Sequence, residues 1–267
     1  MEAIVFGLLG LIVGSFLNVV ILRHGARSLG GRSACMACGR QLRWFDMIPV
    51  LSWLAFRGRC RSCHARISTQ YPAVEALTAA LFILIGLAPI GLFVKALSLC
   101  IAALLVCIAV YDLRHTIIPD EWVYAFAALA FGVTLAGAAN GGDETSIALS
   151  LFAGPLTAFP LFVLWFISRG KWMGLGDPKL ALGIGWFLGA VAGLYAVFLA
   201  FVIGALVSVF ILLPFEYIRH ACGITRLGAA RQGFTMKSEV PFGPFLIVSC
   251  MYVWFAITYG LPLPLFI

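Results

Sequence analysis

The chain has 267 residues, 63% of them apolar and only 11% charged, with a formal net charge of +7 and a mean hydropathy of +1.05. Soluble domains carry roughly 25% charged residues, so this composition excludes an ordinary soluble globule and points to an all-α polytopic membrane protein. The basic excess reads through membrane topology and not as nucleic-acid affinity.

A membrane-crossing helix needs about 20 apolar residues. Eight stretches are read as spans: 4–22, 74–90, 94–111, 122–139, 147–168, 180–192, 194–215 and 244–262. The sixth and seventh form one apolar run, divided near Gly189 and Gly193; taken as a single tilted helix, it would leave seven spans. With eight, the nine arginines from Arg23 to Arg66 share one side with Arg114, with Arg169, Lys171 and Lys179, and with Arg219, Arg226, Arg231 and Lys237. Only Lys95 falls opposite. The positive-inside rule makes the crowded side cytoplasmic and puts both termini outside. Residues 1–22 are expected to be a retained first transmembrane helix, because positive charge follows the apolar run and no small-residue cleavage site is evident. Ser15 and Asn18 within it are expected to hydrogen-bond to neighbouring helices.

Residues 23–73 form the one substantial hydrophilic insert, too short for a conventional core. It holds Cys35-x-x-Cys38 and Cys60-x-x-Cys63, with 21 residues between the pairs. Four thiolates so spaced suit tetrahedral structural zinc, whose binding can supply the folding energy that a small core lacks. Disulfides and free thiols are the plainer alternatives, the first disfavoured in a reducing cytoplasm. His64, beside Cys63, is a less favoured substitute ligand. Residues 74–267 form the rest of the helical bundle. Gly-Gly-Asp-Glu at 141–144 reads as an outside turn, and 216–240 as a basic cytoplasmic loop. No convincing internal repeat is evident.

Only 11 residues are acidic, and Asp112 and Asp177 sit where apolar runs meet the basic face. An ionisable group at a membrane edge is costly unless paired or used. Two carboxylates brought together can share a proton and activate water. Each also has a plainer reading. Asp177 in Gly176-Asp177-Pro178 suits an ordinary helix N-cap, and Arg114 is a surface partner within reach of Asp112. Asp120 and Glu121 read as the start of a helix. Gly174 and Gly176 leave room for an extended substrate beside a carboxylate, and Lys179 either holds a substrate carbonyl or snorkels. A transporter using the aspartates for protons is a further alternative, disfavoured because they lie away from the bilayer midplane.

Several segments together resemble the bacterial type IV prepilin peptidases, of the GxGD class of membrane aspartic proteases. Gly14-Ser15-Phe16-Leu17-Asn18-Val19 is similar to the family's first-helix signature. The paired cysteine knuckles, with Ile48-Pro49 and Ser52-Trp53-Leu54 between them and Ser68 to Glu75 after them, resemble its cytoplasmic domain. Asp112-Leu113-Arg114 through Ile118-Pro119-Asp120 resembles the first catalytic motif, and Gly174-Leu175-Gly176-Asp177 with Lys179-Leu180 the second. Pro241-Phe242-Gly243-Pro244 resembles the late signature. Met36, the Trp44-Phe45-Asp46-Met47 segment and Pro178 depart from the usual pattern.

The resemblance implies a multi-pass enzyme of the bacterial inner membrane with its active site facing the cytoplasm. It implies cleavage of the basic leader of type IV prepilins or type II secretion pseudopilins after a glycine, with Asp112 and Asp177 catalytic. It also implies N-methylation of the new N-terminal residue from S-adenosylmethionine. No glycine-rich nucleotide loop supports that donor independently.

Overall fold

The computed structural model describes residues 1–25, 28, 30–139, 144–212 and 241–263. The expected turn at 141–144, apart from Glu144, and the whole of 216–240 lie outside the described residues. Those described form helices and turns, without a β-strand; two isolated bridges join Ala34 to Gln41 and Arg59 to Arg66.

In chain order the helices are α1 (Glu2–Arg23), α2 (Leu51–Ala55), α3 (Gln70–Leu87), α4 (Leu92–His115), α5 (Asp120–Ala139), α6 (Glu144–Ser168), α7 (Gly176–Leu188), α8 (Ala190–Val207) and α9 (Gly243–Thr258). A 3₁₀ turn, Trp44–Met47, precedes α2, and a π turn, Ser208–Leu212, extends α8. Among the described residues each of the eight apolar stretches overlaps a helix. Among the described residues five segments are long and apolar enough to cross a membrane: α1, α3, α4, Ser150–Ser168 of α6, and Ala190–Phe210. Helix α9 is apolar but shorter. The run read as 180–215 breaks at Gly189, whose φ of 85° and ψ of 168° belong to a region open essentially to glycine alone.

The chain forms two compact units, Met1–Val110 and Tyr111–Ile267. In the first, α1 and α3 pack closely because glycines on one face of α1 let the backbones meet. A Cβ on Gly10 would lie 2.6 Å from Ala79 Cα, and one on Gly14 2.8 Å from Glu75 Cα. Asn18 is buried there and donates to Gly14 O at 3.3 Å and Tyr71 O at 3.2 Å. Asn18 of α1 thus bonds to α3 as expected. Glu75 Oε2 accepts the Val50 N–H at 2.7 Å, joining the insert to the helix pair.

In the second unit α7 is the central element, packed against α5, α6, α8 and α9. Its 13 residues make a helix only about 20 Å long, against a hydrocarbon core of about 30 Å. Small residues allow the close fit: a Cβ on Gly183 would meet the Phe126 ring at 2.5 Å, and one on Gly154 of α6 the Trp186 ring at 2.7 Å. Trp186 Nε1 donates to Leu151 O at 3.0 Å, and Thr134 Oγ1 of α5 donates to Trp186 O. These bonds satisfy polar groups that lipid cannot. The first turn of α7 is thereby held on a rigid scaffold.

Candidate active site

Asp112 occupies the last turn of α4. The Thr116 N–H bonds to Asp112 O at 2.8 Å, and Thr116 then turns the chain out of the helix at a φ of 52°. Residues Ile117 to Pro119 lead directly into α5, placing Ile118 against the starts of two other helices. A Cβ on Gly176 would lie 2.9 Å from Ile118 Cβ, and one on Gly243 would lie 3.1 Å from Ile118 Cδ1 and 2.6 Å from Asp112 Oδ2. One side chain therefore packs against the first residue of both α7 and α9, with Asp112 beside it.

Asp177 follows Gly176 at the second position of α7. The capping expectation fails here: Leu175 is the N-cap residue, and no side-chain capping bond forms. Asp177 is 6% exposed and Asp112 4% exposed. Asp177 Oδ1 and Asp112 Oδ2 are both buried without a hydrogen-bond partner. Nor does Arg114 offset Asp112, since the one ion pair among the described residues joins Lys179 to Asp120 at 2.7 Å. Asp112 and Asp177 lie within electrostatic reach of each other. A buried polar oxygen left unpaired costs about 1–3 kcal/mol, so two such oxygens in one place call for a functional explanation.

The surrounding expectations divide. Gly174 has open space around it, the nearest atom to an added Cβ being Gly176 N at 3.9 Å, which suits substrate approach. Gly176 has no such room, because Ile118 fills it. Lys179 is engaged with Asp120 and lies over the Tyr124 ring at 5.4 Å. Ile118 and Gly243 were not expected to shape the site. Their signal was present in Ile118-Pro119 and Gly243-Pro244, but the contact between them is tertiary.

The four insert cysteines converge as their spacing predicts. Their sulfurs all lie within 4.8 Å of one another, with Cys35 and Cys63 at 3.8 Å. The two knuckles repeat one hydrogen-bond pattern: Cys35 N to Arg40 O and Gly39 N to Cys35 O recur as Cys60 N to Ala65 O and His64 N to Cys60 O. His64 takes the positive-φ position that Gly39 holds in the first knuckle, at 56° against 71°. It is thus a turn residue, outside the ligand cluster. Backbone N–H groups of Cys63 and Ser62 pull the Cys60 thiol down to about 6, and those of Cys38 and Ala37 lower Cys35. Those two thiols are biased toward the thiolate that binds metal, while burial and the neighbouring cysteines push Cys63 up to about 11. The group can hold a metal ion.

Comparison with known proteins agrees with this arrangement. Residues 8–88 match the Bacterial Peptidase A24 N-terminal domain, and residues 99–209, which include both aspartates, match the Type IV leader peptidase family. A prepilin leader peptidase/N-methyltransferase of Myxococcus xanthus (strain DK1622) is 38% identical over 220 residues, covering 79% of this chain and 63% of that protein. The protein of the same name from Burkholderia pseudomallei (strain 1026b) is 33% identical, covering 89% and 80%. A type 4 prepilin-like proteins leader peptide-processing enzyme of Escherichia coli O78:H11 (strain H10407 / ETEC) is 34% identical, covering 89% and 87%. No solved structure matches the chain. The chain is a multi-pass membrane protein and belongs to the type IV leader peptidase family, the bacterial prepilin peptidases.

Proposed function

We propose that this protein removes the basic leader from type IV prepilins or type II secretion pseudopilins and N-methylates the residue exposed. Asp112 and Asp177 are the hydrolytic pair in this reading. The observation that carries it is the convergence of these two buried carboxyls, each with an unpartnered oxygen, inside the matched family region. One carboxylate takes a proton from water as it attacks the scissile carbonyl, and the other, protonated, polarises the carbonyl oxygen. The expected outcome of Asp112→Asn or Asp177→Asn is loss of prepilin cleavage with membrane insertion intact. Cleavage at the parental rate by either variant, followed by gel shift of a purified prepilin, refutes the pair.

The methyl donor in this reading is S-adenosylmethionine. The sequence has no glycine-rich nucleotide loop, and no described residue is assigned to the donor. Mass spectrometry of the processed pilin checks the activity: its amino terminus gains one methyl group only when the donor is supplied.

The cysteine cluster fits zinc. With Zn–S near 2.3 Å, a tetrahedral site sets sulfurs about 3.8 Å apart, as Cys35 and Cys63 are. Cys35, Cys38, Cys60 and Cys63 would hold the ion, which closes the insert and leaves no open position for substrate. Eight spans, an inner-membrane location and a cytoplasmic active site are supported by 17 basic residues falling on one side and only Lys95 on the other.

A further inference from the structure

The two knuckles of the insert share a backbone pattern but not a charge. Their antiparallel bridges correspond, yet the first joins Ala34 to Gln41 and the second joins Arg59 to Arg66. Side chains directly opposite in such a pair stand about 4.5–5.5 Å apart at Cβ, where like charges destabilise. No acid relieves them, since the one ion pair among the described residues joins Lys179 to Asp120. Arg61 likewise follows the first cysteine of its knuckle, where the other knuckle has Met36. Arg57, Arg59 and Arg61 line a cleft of about 490 Å³ with Phe56 and His64. The turn beneath it is firmly held. Arg57 and Gly58 both take positive φ, at 51° and 66°, Ile67 N donates to Gly58 O at 2.8 Å, and a Cβ on Gly58 would meet the Trp53 ring at 2.7 Å. The Arg61 guanidinium lies over the Phe45 and Phe56 rings at 5.1 and 5.9 Å.

The charge needs a partner from outside the chain. Residues 23–73 hold nine arginines and, among acids, only Asp46. Four thiolates around a divalent metal return just two negative charges, so the excess exceeds what the cysteine cluster neutralises. The bilayer is the nearest candidate. Val50 N–H bonds to Glu75 Oε2 at 2.7 Å, which pins the insert at the edge of the α3 span. Helix α2 starts at the next residue, so the chain from Val50 to Arg57 reaches at most about 15 Å from that edge. Exposed Leu51 and Leu54 lie one turn apart on α2, and Trp44 just before it is exposed too. Apolar and aromatic side chains beside arginines, at the end of membrane helices, suit the interfacial layer.

We propose that Arg57, Arg59, Arg61 and Arg66 of the second knuckle form a docking surface for the phosphate head groups of anionic phospholipid in the bilayer that holds α1 and α3. Each guanidinium fork can donate two parallel N–H bonds to phosphate oxygens. A phosphate shared by Arg59 and Arg66 converts their opposition into a common attraction, and the anionic surface draws in the other arginines. This docking is independent of the hydrolytic pair.

The test places the full chain, one per nanodisc, in phosphatidylcholine alone or in an equimolar mixture with phosphatidylglycerol. Amide exchange of residues 51–67 is followed by mass spectrometry. Exchange is expected to be about tenfold slower in the anionic discs, the difference shrinking as salt rises. Arg59→Gln and Arg66→Gln are each expected to remove about fivefold of that protection. Arg32→Gln, which takes the same charge from the first knuckle, leaves it in place. Equal exchange in the two discs means that the bilayer is not the partner, and overturns the proposal. Equal loss in Arg32→Gln and Arg59→Gln overturns the assignment to the second knuckle. Inorganic phosphate added to the neutral discs is expected to give no protection; protection equal to that by phosphatidylglycerol means a free phosphate site and overturns the lipid assignment. The lipid and phosphate arms use the parent chain and decide the matter whether or not the variants fold.

Discussion

A Cβ on Gly176 would lie 2.9 Å from Ile118 Cβ, well inside the 3.5–4.0 Å at which carbon atoms rest. The second glycine of Gly174-Leu175-Gly176-Asp177 is therefore a packing residue that fixes where Asp177 starts its helix. Overpacking of this kind costs about 1–3 kcal/mol. Felt in the transition state, it lowers kcat for prepilin cleavage about ten- to a hundredfold in Gly176→Ala. The double variant with Ile118→Ala recovers a large part of the loss, since the clash needs both side chains. Kinetics of the two single variants and the double check this. No recovery would mean that Gly176 matters through its backbone and not through Ile118.

At the scale of elements, the Lys179–Asp120 pair ties the first turn of α7 to the first turn of α5. Its side chains are 25% and 58% exposed, so solvent screens the attraction, and pairs of this sort contribute about 0.2–1 kcal/mol. A double-mutant cycle of Lys179→Met and Asp120→Asn should give a coupling within that range, falling as salt rises. The cleavage rate of Lys179→Met should stay within about tenfold of the parent. A loss beyond a hundredfold would show instead that Lys179 contacts substrate. Burial of α7 against four neighbours, not this surface pair, holds its first turn.

For the molecule as a whole, the insert depends on a device separate from the helices. Two five-residue turns bring four sulfurs within 4.8 Å, and its other contacts include Trp53 Nε1 to Ile67 O at 3.3 Å, Val50 N to Glu75 Oε2 at 2.7 Å and Arg61 over the Phe45 ring at 5.1 Å. Bound metal then contributes folding energy directly. Stripping the metal with a chelator, or Cys60→Ser, should release about one equivalent of zinc per chain. It should also open residues 30–69 to protease while α7 and α8, 176–207, stay resistant. Metal analysis with limited proteolysis measures both. An insert equally resistant with and without metal would contradict the structural role.

Much of this was legible in the residues because it is local. Apolar runs predict where helices lie, paired Cys-x-x-Cys turns predict a sulfur cluster, and Gly189 marks the break between α7 and α8. Membrane composition and the one-sided arginines likewise need no coordinates. What the tertiary structure decided is who meets whom across the chain. Asp177 looked like a helix cap, yet it is buried with an unpartnered oxygen beside a carboxyl 65 positions earlier. Gly176 looked like room for substrate, yet Ile118 fills it. Gly243 stood only within a resembling signature, yet a Cβ there would crowd Asp112 Oδ2 at 2.6 Å. Short-range periodicity and turn chemistry act within a few residues and can be read along the chain. Contacts between residues far apart in the chain depend on how the end of α4, α7 and α9 pack, and no local pattern encodes that.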